Sequence, residues 1–369
     1  MAATLVGLLL GVQVGCGGGS SGTPGGGGPA PRTFTTIDVP EAGTSSEQGT
    51  FALVGNLSGE VAGYYIDPSG FFHGFVRNAS GAITTVDIPA IGSQGTIING
   101  IDAAGDTIGY YVDSLSTEHS FLRSSDGTIS RFDPPNCNPG SVAKSINDSG
   151  TVADGFLDAN GAHGYLRAPD GTFTTFDPTG SGTQIQIVIP YRINASRAVA
   201  GTYIDTNGVY HGFLRDPSGN ITILDAPGAG TAADQGTELV GMNTSGTIAG
   251  GISVGTVNGV VGTTHSLVLA TEGTYTIFDP PQSGAHSSLV EAINDSGAVA
   301  GIYRDANLVR HGYLRQPDGT VTSFDDPNAA QLPVSTTDVG TEPRSINANG
   351  AVVGFYADAN GVRHGFIWQ

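Results

Sequence analysis

The repeating unit of this chain is written most completely in one stretch, "SLVEAINDSGAVAGIYRDANLVRHGYLRQPDGTVTSFDDP", Ser288–Pro327. Short β-favouring runs alternate there with turn sequences, at Asn294–Gly297, Asp305–Leu308 and Pro317–Gly319. Asp and Asn hydrogen-bond their own backbone in turns, and Gly tolerates a positive φ. Three tight turns between four runs predict a four-stranded antiparallel meander.

The same phrase recurs along the chain and can be aligned on the His of H-G-F. It has seven copies, at His73, His119, His163, His211, His265, His311 and His364. A regular interval of this length indicates an array of one supersecondary unit. A single four-stranded sheet cannot bury its two faces alone, so neighbouring units must stack on it. Four strands in about 40–50 residues are typical of the blade of a β-propeller.

The two ends of the chain complement each other. The last copy stops at Gln369 before any T-x-F-D element, whereas "RTFTTIDVP", Arg32–Pro40, is such an element without preceding partners. The Asp of this element also occurs seven times, as Asp38, Asp87, Asp133, Asp177, Asp225, Asp279 and Asp325. Sharing strands between the two ends leaves no free sheet edge. The sequence therefore predicts an all-β fold, a single seven-bladed β-propeller of four-stranded antiparallel blades over residues 32–369, with the N-terminal strand closing the last blade.

Repeats of this form, A-I-N-D-S-G followed by H-G-F-L-R, D-G-T and F-D-x-P, resemble the HAF family of extracellular repeats in bacterial exported proteins. The resemblance covers Arg32–Gln369. It implies export and repetition, and it implies no particular activity.

The N-terminus also predicts export. The run "MAATLVGLLLGVQVGC", residues 1–16, is too short to span a bilayer and is typical of a signal peptide. With Cys16 and the Gly/Ser/Pro-rich residues 17–31, it resembles a bacterial lipoprotein start: a lipobox, a lipidated Cys16 and a flexible tether. We expect a lipoprotein of the outer membrane, cell surface or periplasm, attached to the membrane only by its lipid. A secreted protein with an incidental Cys16 is the alternative.

Composition excludes several classes of partner. The formal net charge is -19 and Lys144 is the only lysine. We therefore do not expect nucleic-acid binding or the binding of a polybasic segment to anionic lipid. Cys137 is the only other cysteine, so no disulfide framework is predicted. We interpret Cys137 as a loop thiol without a role.

The recurrent histidines predict structure rather than chemistry. One His per blade places neighbours about 10 Å or more apart, whereas zinc needs all its ligands about 2 Å from one point. We predict instead that each His bonds the Asp five or six residues earlier, in the pairs Asp67/His73, Asp113/His119, Asp158/His163, Asp205/His211, Asp305/His311 and Asp358/His364. The sequence has no nucleophile-elbow, zinc-protease or phosphate-loop motif, and no catalytic, cofactor-binding or metal-binding residue is predicted.

The fifth copy, "GGISVGTVNGVVGTTHSLVLATEG" from Gly250 to Gly273, lacks the turn Asp and contains extra residues. Either it has drifted, or its inserted loop carries a site grafted onto the scaffold. We favour drift, because the insertion has no acid, base or aromatic residue.

A candidate ligand surface lies on the first strand of each blade, which lines the axis of a propeller. Three positions before the Asn of each I-N-x-x-G turn (Asp in the second copy), the residues are Leu53, Asn99, Lys144, Tyr191, Val240, Glu291 and Arg344. The residue type at this position differs from copy to copy, whereas the surrounding motif is repeated. This pattern fits either a surface adapted to a ligand or positions without constraint. We select the polar members as a possible axial ligand surface: Asn99, Lys144, Tyr191, Glu291 and Arg344.

The functional prediction is a monomeric, non-enzymatic binding or scaffold module of the bacterial cell envelope. It would contact a protein or glycan through the loops and the axial mouth. The alternative is a carbohydrate-active or lyase-type propeller enzyme, which needs acids and bases that converge at the axis. A purely structural spacer is a third reading, and it would have no concave pocket with convergent polar groups.

Overall fold

The computed structural model describes residues 32–89, 95–178, 185–255, 263–281, 283, 287–331 and 339–369. Its secondary structure consists of 28 β-strands, β1 to β28, joined by turns and loops. Within these ranges no helix is long and apolar enough to cross a membrane.

Each repeat forms a four-stranded antiparallel meander, as predicted. We number these units 1 to 7 by their first strands. The first strands are β2 (Gly49–Gly55), β6 (Gly95–Ile101), β10 (Ser145–Ile146), β14 (Ile185–Ile193), β18 (Gly236–Met242), β22 (Ser288–Ile293) and β26 (Gly340–Ile346). The second strands are β3 (Val61–Ile66), β7 (Thr107–Val112), β11 (Val152–Asp158), β15 (Val199–Asp205), β19 (Ile248–Ser253), β23 (Val299–Arg304) and β27 (Val352–Ala357).

The outer half of each unit has a third and a fourth strand. The third strands are β4 (Phe72–Arg77), β8 (Glu118–Arg123), β12 (Gly161–Arg167), β16 (Tyr210–Arg215), β20 (Thr264–Leu269), β24 (Arg310–Arg315) and β28 (Arg363–Trp368). The fourth strands of units 1 to 6 are β5 (Ile83–Val86), β9 (Ile129–Phe132), β13 (Phe173–Phe176), β17 (Ile221–Ile223), β21 (Tyr275–Phe278) and β25 (Val321–Phe324). The fourth strand of unit 7 is β1 (Phe34–Ile37), from the opposite end of the sequence.

β1 is held on unit 7 by backbone pairing, aromatic contacts and an ion pair. It runs antiparallel to β28, with Phe34 opposite Trp368. The Phe34 ring lies 5.4 Å from that of Phe366 and 6.1 Å from that of Trp368, measured between centroids. Asp38, just after β1, lies 2.7 Å from Nδ1 of His364. The N-terminal strand therefore completes the last unit.

Within the described residues, four junctions between successive units have a short parallel bridge between a third strand and the next first strand: 1–2, 4–5, 6–7 and 7–1. The bridge between units 7 and 1 joins Arg363 to Gly49, and its counterpart between units 1 and 2 joins Phe72 to Gly95. Gly49 has a φ of 118°, and a Cβ there would lie 2.0 Å from the carbonyl oxygen of Arg363. Only glycine permits this approach between the first and last units.

The Asn of the I-N-x-x-G turn joins neighbouring units as well as shaping its own turn. In unit 6, Oδ1 of Asn294 accepts the backbone N–H of Ala298, and Nδ2 donates to the carbonyl of Asn347 in unit 7. The same donation to the next unit is made by Asn56, Asn147, Asn243 and Asn347. Asn347 donates to Asn56, so this pattern also links unit 7 to unit 1.

The hydrophobic core lies between the facing sheets of adjacent units. One cluster, for example, combines Val54 and Ala62 of unit 1 with Ile98, Tyr111 and Phe121 of unit 2. Each sheet thus buries its faces on its neighbours, as the repeat period requires.

Candidate functional site

One cavity of about 450 Å³, which we call the axial cavity, is lined by the first strands of six units and by Lys144, just before the first strand of unit 3. The predicted position, three residues before the turn Asn, faces this cavity in every unit: Leu53, Asn99, Lys144, Tyr191, Val240, Glu291 and Arg344. The structure therefore brings together all five polar residues selected from the sequence. Val54, Arg192, Glu238, Leu289 and Val290 complete the lining.

The carboxylates of the axial cavity are engaged by neighbouring side chains. The Tyr191 hydroxyl donates to Oε1 of Glu238 at 2.9 Å. Nη1 of Arg344 lies 3.0 Å from Glu291 and 3.2 Å from Glu342, and Arg310 donates to Glu342 from the other side. These contacts form two groups: a hydrogen bond between units 4 and 5, and an ion-pair network between units 6 and 7.

Burial changes the acidity of this network. It raises the pKa of Glu291 although Arg344 opposes the change, and Glu291 in turn raises the pKa of Arg344. Burial, reinforced by Glu238, also holds the pKa of the Tyr191 hydroxyl well above its ordinary value. Tyr191 is therefore a neutral hydrogen-bond donor at physiological pH.

Two cations of the cavity have no carboxylate partner. Within the described residues, neither Lys144 of unit 3 nor Arg192 of unit 4 forms an ion pair. Nζ of Lys144 lies 5.7 Å from the centroid of the Tyr191 ring. Burial lowers the pKa of Arg192, the nearby charge of Arg344 lowers it further, and the charge of Glu291 opposes both effects. Lys144 and Arg192 thus place positive charge in the wall of units 3 and 4 without a direct ion pair.

Unit 3 differs from its neighbours beside Lys144. Asp154 on β11 occupies the place of a glycine such as Gly63 or Gly301 in the other units. The first strand β10 is only two residues long, and Val142–Lys144 lie outside its ladder. Oδ2 of Asp154 is buried without a hydrogen-bond partner, and burial raises the pKa of this carboxyl to about 7, with Lys144 opposing the rise.

Sequence reasoning missed Glu238 and Arg192. Glu238 lies two residues before Val240, and residues two apart share one face of a strand. Arg192 directly follows Tyr191 at a register shift that β14 shares with the first strands of units 1, 2, 5, 6 and 7. It has the position of Val54 in unit 1, which also lines the cavity. Strand alternation could have found Glu238, whereas no spacing signal marked Arg192.

The seven repeat histidines lie outside the axial lining, and their main partner is not the one predicted. Nδ1 of His73 lies 2.9 Å from Asp87, the Asp that follows the fourth strand. The predicted turn residue, Asp67, is 3.6 Å from Nε2. The strand-end contact recurs at 2.6–2.9 Å in His119, His163, His211, His265, His311 and His364.

The turn Asp mainly shapes the hairpin. Oδ1 of Asp67 accepts the backbone N–H groups of Ser69 and Phe71. His265 has no turn Asp in its repeat and still contacts Asp279 at 2.7 Å. The constant spacing of 14 residues between each His and its strand-end Asp within units 1 to 6 was the available signal. The predicted contact to the turn Asp is present in all six pairs as a second, longer contact of Nε2, at 3.1–3.9 Å. The shorter strand-end contact was missed because the end of the fourth strand lies beside the third strand.

Other candidate groups add little chemistry. In the described ranges, no group of three or more His, Cys, Asp or Glu residues is arranged to hold a metal ion. Burial raises the pKa of the Cys137 thiol to about 11, and its Sγ contacts the Gly140 carbonyl. Cys16, residues 17–31 and residues 256–262 of the fifth repeat lie outside the described residues.

Comparisons with known proteins identify the architecture. No family model and no curated protein sequence matches this chain. The structure is similar to streptogramin B lyase, with 15% identity, 91% of this chain and 97% of that chain covered, and a TM-score of 0.55. It is also similar to a catalytically inactive virginiamycin B lyase from Staphylococcus aureus with quinupristin. That comparison has 13% identity, covers 92% of this chain and 99% of that chain, and has a TM-score of 0.53.

A third similar structure is the β-propeller domain of the Trilobed protease from Pyrococcus furiosus, with 9% identity, 86% and 95% coverage and a TM-score of 0.53. Identities this low relate folds and carry no information on activity. Together with the antiparallel four-stranded units, these likenesses show that the chain has an all-β, β-propeller fold.

Proposed function

We propose that this protein is a non-enzymatic binding module whose axial cavity takes a small polar ligand, such as a glycan unit or peptide group. The observation that carries the proposal is the convergence of seven repeat-equivalent but chemically different residues on one cavity. Its volume of about 450 Å³ lies within the range of about 300–1,000 Å³ usual for small-ligand sites. A structural spacer has no need of such a cavity.

The test is a thermal-shift panel of glycans, peptidoglycan fragments, short peptides and divalent metals, applied to the full chain. A ligand at about 100 times its Kd adds about 2.7 kcal/mol to the unfolding free energy. Val240→Phe, which fills the axial cavity, should abolish the shift. Thr276→Phe, on an exposed outer strand, should retain it. No shift with any compound, or equal shifts in both variants, would refute axial binding.

A lyase-type or carbohydrate-active enzyme is the second candidate, and one observation favours it. Asp154 is a buried carboxyl with a pKa of about 7 that interacts electrostatically with Lys144 of the cavity lining, although it does not itself line the cavity. A carboxyl with a pKa near neutrality is suited to proton transfer, and here it would act through Lys144. Product analysis by NMR after incubation with compounds that bind separates the candidates, because a binding module returns them unchanged.

We also propose that the seven units form a closed seven-bladed propeller. Supporting contacts are the pairing of β1 with β28, the bridge between Gly49 and Arg363, and the hydrogen bond from Asn347 to Asn56. Deleting residues 32–40 removes the fourth strand of unit 7 and should sharply lower the melting temperature. An unchanged melting curve would contradict closure by β1.

The proposed setting is the bacterial cell envelope, with the propeller as a monomer tethered through a lipidated Cys16. The support is the sequence: an apolar start, Cys16 and a Gly-rich tether, followed by repeats that resemble those of exported proteins. Metabolic labelling with a clickable fatty acid should mark the wild type and not Cys16→Ser. Equal labelling of both would rule out lipidation at Cys16, and gel filtration reports the oligomeric state.

A further inference from the structure

The two sides of the axial cavity differ in how their charges are compensated. Glu238 is bonded by Tyr191, while Glu291 and Glu342 are paired with arginines. Lys144 and Arg192, on the adjoining units 3 and 4, form no ion pair within the described chain. The cavity therefore has free cationic groups on one side, and its acidic groups are already satisfied.

Both cations lie in the cavity wall. Lys144 lies outside the ladder of β10. Tyr191 lies at the register shift between Ile189 and Arg192, an irregularity that also occurs in the first strands of units 1, 2, 5, 6 and 7. Arg192 has the position that Val54 has in unit 1, and both residues line the cavity.

Asp154 does not neutralise this side. It attracts Lys144 electrostatically, yet no ion pair joins the two residues. Its Oδ1 accepts the N–H of Gly155, while Oδ2 is buried with no hydrogen-bond partner. Lys144 instead lies near the face of the Tyr191 ring.

Partly buried cations without partners are costly, because burial removes water that would solvate them. An anion between Lys144 and Arg192 would replace that solvation with charge-assisted hydrogen bonds. A guanidinium matches the planar geometry of a carboxylate, and an ammonium adds a compact charge. The adjoining Tyr191 ring and Asn99 amide offer a flat surface and a polar group to the rest of a sugar.

We infer that Lys144 and Arg192 form a carboxylate subsite of the axial cavity, so that its ligand is an acidic sugar rather than a neutral one. This inference rests on the proposed binding function and specifies its ligand class. Glu238 is engaged by Tyr191 and Glu291 by Arg344, so we expect the carboxylate at Lys144 and Arg192.

The test measures binding of sodium glucuronate and of glucose to the full chain by isothermal titration calorimetry, since the two compounds share a ring and differ in charge. We expect glucuronate to bind at least about tenfold more tightly, the effect of a hydrogen bond to a charged group. Lys144→Met and Arg192→Met should each remove this preference. Arg123→Met, which deletes a cation of β8 away from the cavity, should preserve it.

The outcomes separate the inference from the function on which it rests. Equal binding of the two sugars, with loss of both in Val240→Phe, would overturn the carboxylate subsite and leave axial binding intact. A preference for glucuronate that survives both cation substitutions would also overturn it. If neither sugar binds, the subsite is refuted, and the thermal-shift panel decides the proposed function separately.

Discussion

Units 3 and 6 share a polar arrangement that the other units lack, and they differ at one position within it. In both, a serine on the third strand of the preceding unit bonds a serine of the unit itself. The Oγ atoms of Ser120 and Ser141 are 2.6 Å apart, and those of Ser266 and Ser288 are 2.9 Å apart. Each unit also has a fully buried tyrosine, Tyr165 in unit 3 and Tyr313 in unit 6. The residue opposite that tyrosine is Asp154 in unit 3 and Gly301 in unit 6.

The exchange of Gly301 for Asp154 coincides with a difference in the first strands of the two units, β22 and β10. In unit 6 the ladder continues through Gly301, which pairs with Val290, and a Cβ at Gly301 would lie 2.1 Å from the Leu289 carbonyl oxygen. In unit 3 only Ser145 and Ile146 of the first strand pair with the second strand. Towards the N-terminus, the next pair is an isolated bridge between Ser141 and Phe156. One side chain in place of a hydrogen atom thus accounts for the open strand next to Lys144.

Gly301→Asp is expected to have the largest effect, because it imposes the residue of unit 3 on the closed strand of unit 6. The new side chain meets the Leu289 carbonyl and the Tyr313 ring, and its charge is buried. We expect a loss of about 3–5 kcal/mol in unfolding free energy, measured by urea denaturation. Gly301→Ala should cost less, since it adds the steric conflict alone. A loss below about 1 kcal/mol for Gly301→Asp would contradict the claim that a side chain at this position is incompatible with the paired first strand.

Asp154→Gly is the reverse change, and its effect depends on pH. Burial raises the pKa of Asp154 from its ordinary 3.8 to about 7, so ionisation destabilises the folded state. This penalty is absent below about pH 4, grows as the pH rises towards 7 and is constant above. We expect Asp154→Gly to gain about 2 kcal/mol at pH 8, allowing for the backbone entropy of glycine, and little at pH 4. A gain that is equal at both pH values would contradict a buried, ionising Asp154.

The tyrosines should differ by a smaller amount. The Tyr313 hydroxyl contacts Oγ of Ser266 at 2.9 Å, whereas the buried Tyr165 hydroxyl interacts only weakly with Ser120, whose Oγ bonds Ser141 at 2.6 Å. Tyr313→Phe should cost about 1 kcal/mol, and Tyr165→Phe should be neutral or slightly stabilising. Chemical denaturation of the two variants gives the comparison. Equal costs would show that Tyr165 has a hydrogen bond in solution.

The meander and its period could be predicted because they depend on local chemistry. Turns such as Asn294–Gly297 and Asp305–Leu308 specify their own hairpins, and strand alternation assigns each side chain to a face. The position three before the turn Asn lines the cavity in every unit, and it lies at a register shift in units 1, 2 and 4 to 7. Axial residues at the regular positions are therefore accessible to sequence reasoning.

The missed features depend on contacts that the sequence pattern does not specify. Arg192 lies beside a bulge that recurs in most first strands, and the shorter histidine contact is set by the third strand and the end of the fourth. The replacement of glycine by Asp154 is visible when the copies are aligned, but its effect on β10 depends on the backbone clearance in the folded sheet. Spacing alone contains no information on that clearance.

The open first strand of unit 3 is the central claim, and hydrogen–deuterium exchange of backbone amides tests it most directly. Amides outside a ladder exchange quickly, whereas paired amides require local opening. We predict faster exchange in the peptide spanning 142–144 than in its counterpart spanning 289–291, and slowing at 142–144 in Asp154→Gly. Equal protection of the two peptides in the wild type would contradict the claim that Asp154 opens this wall of the axial cavity.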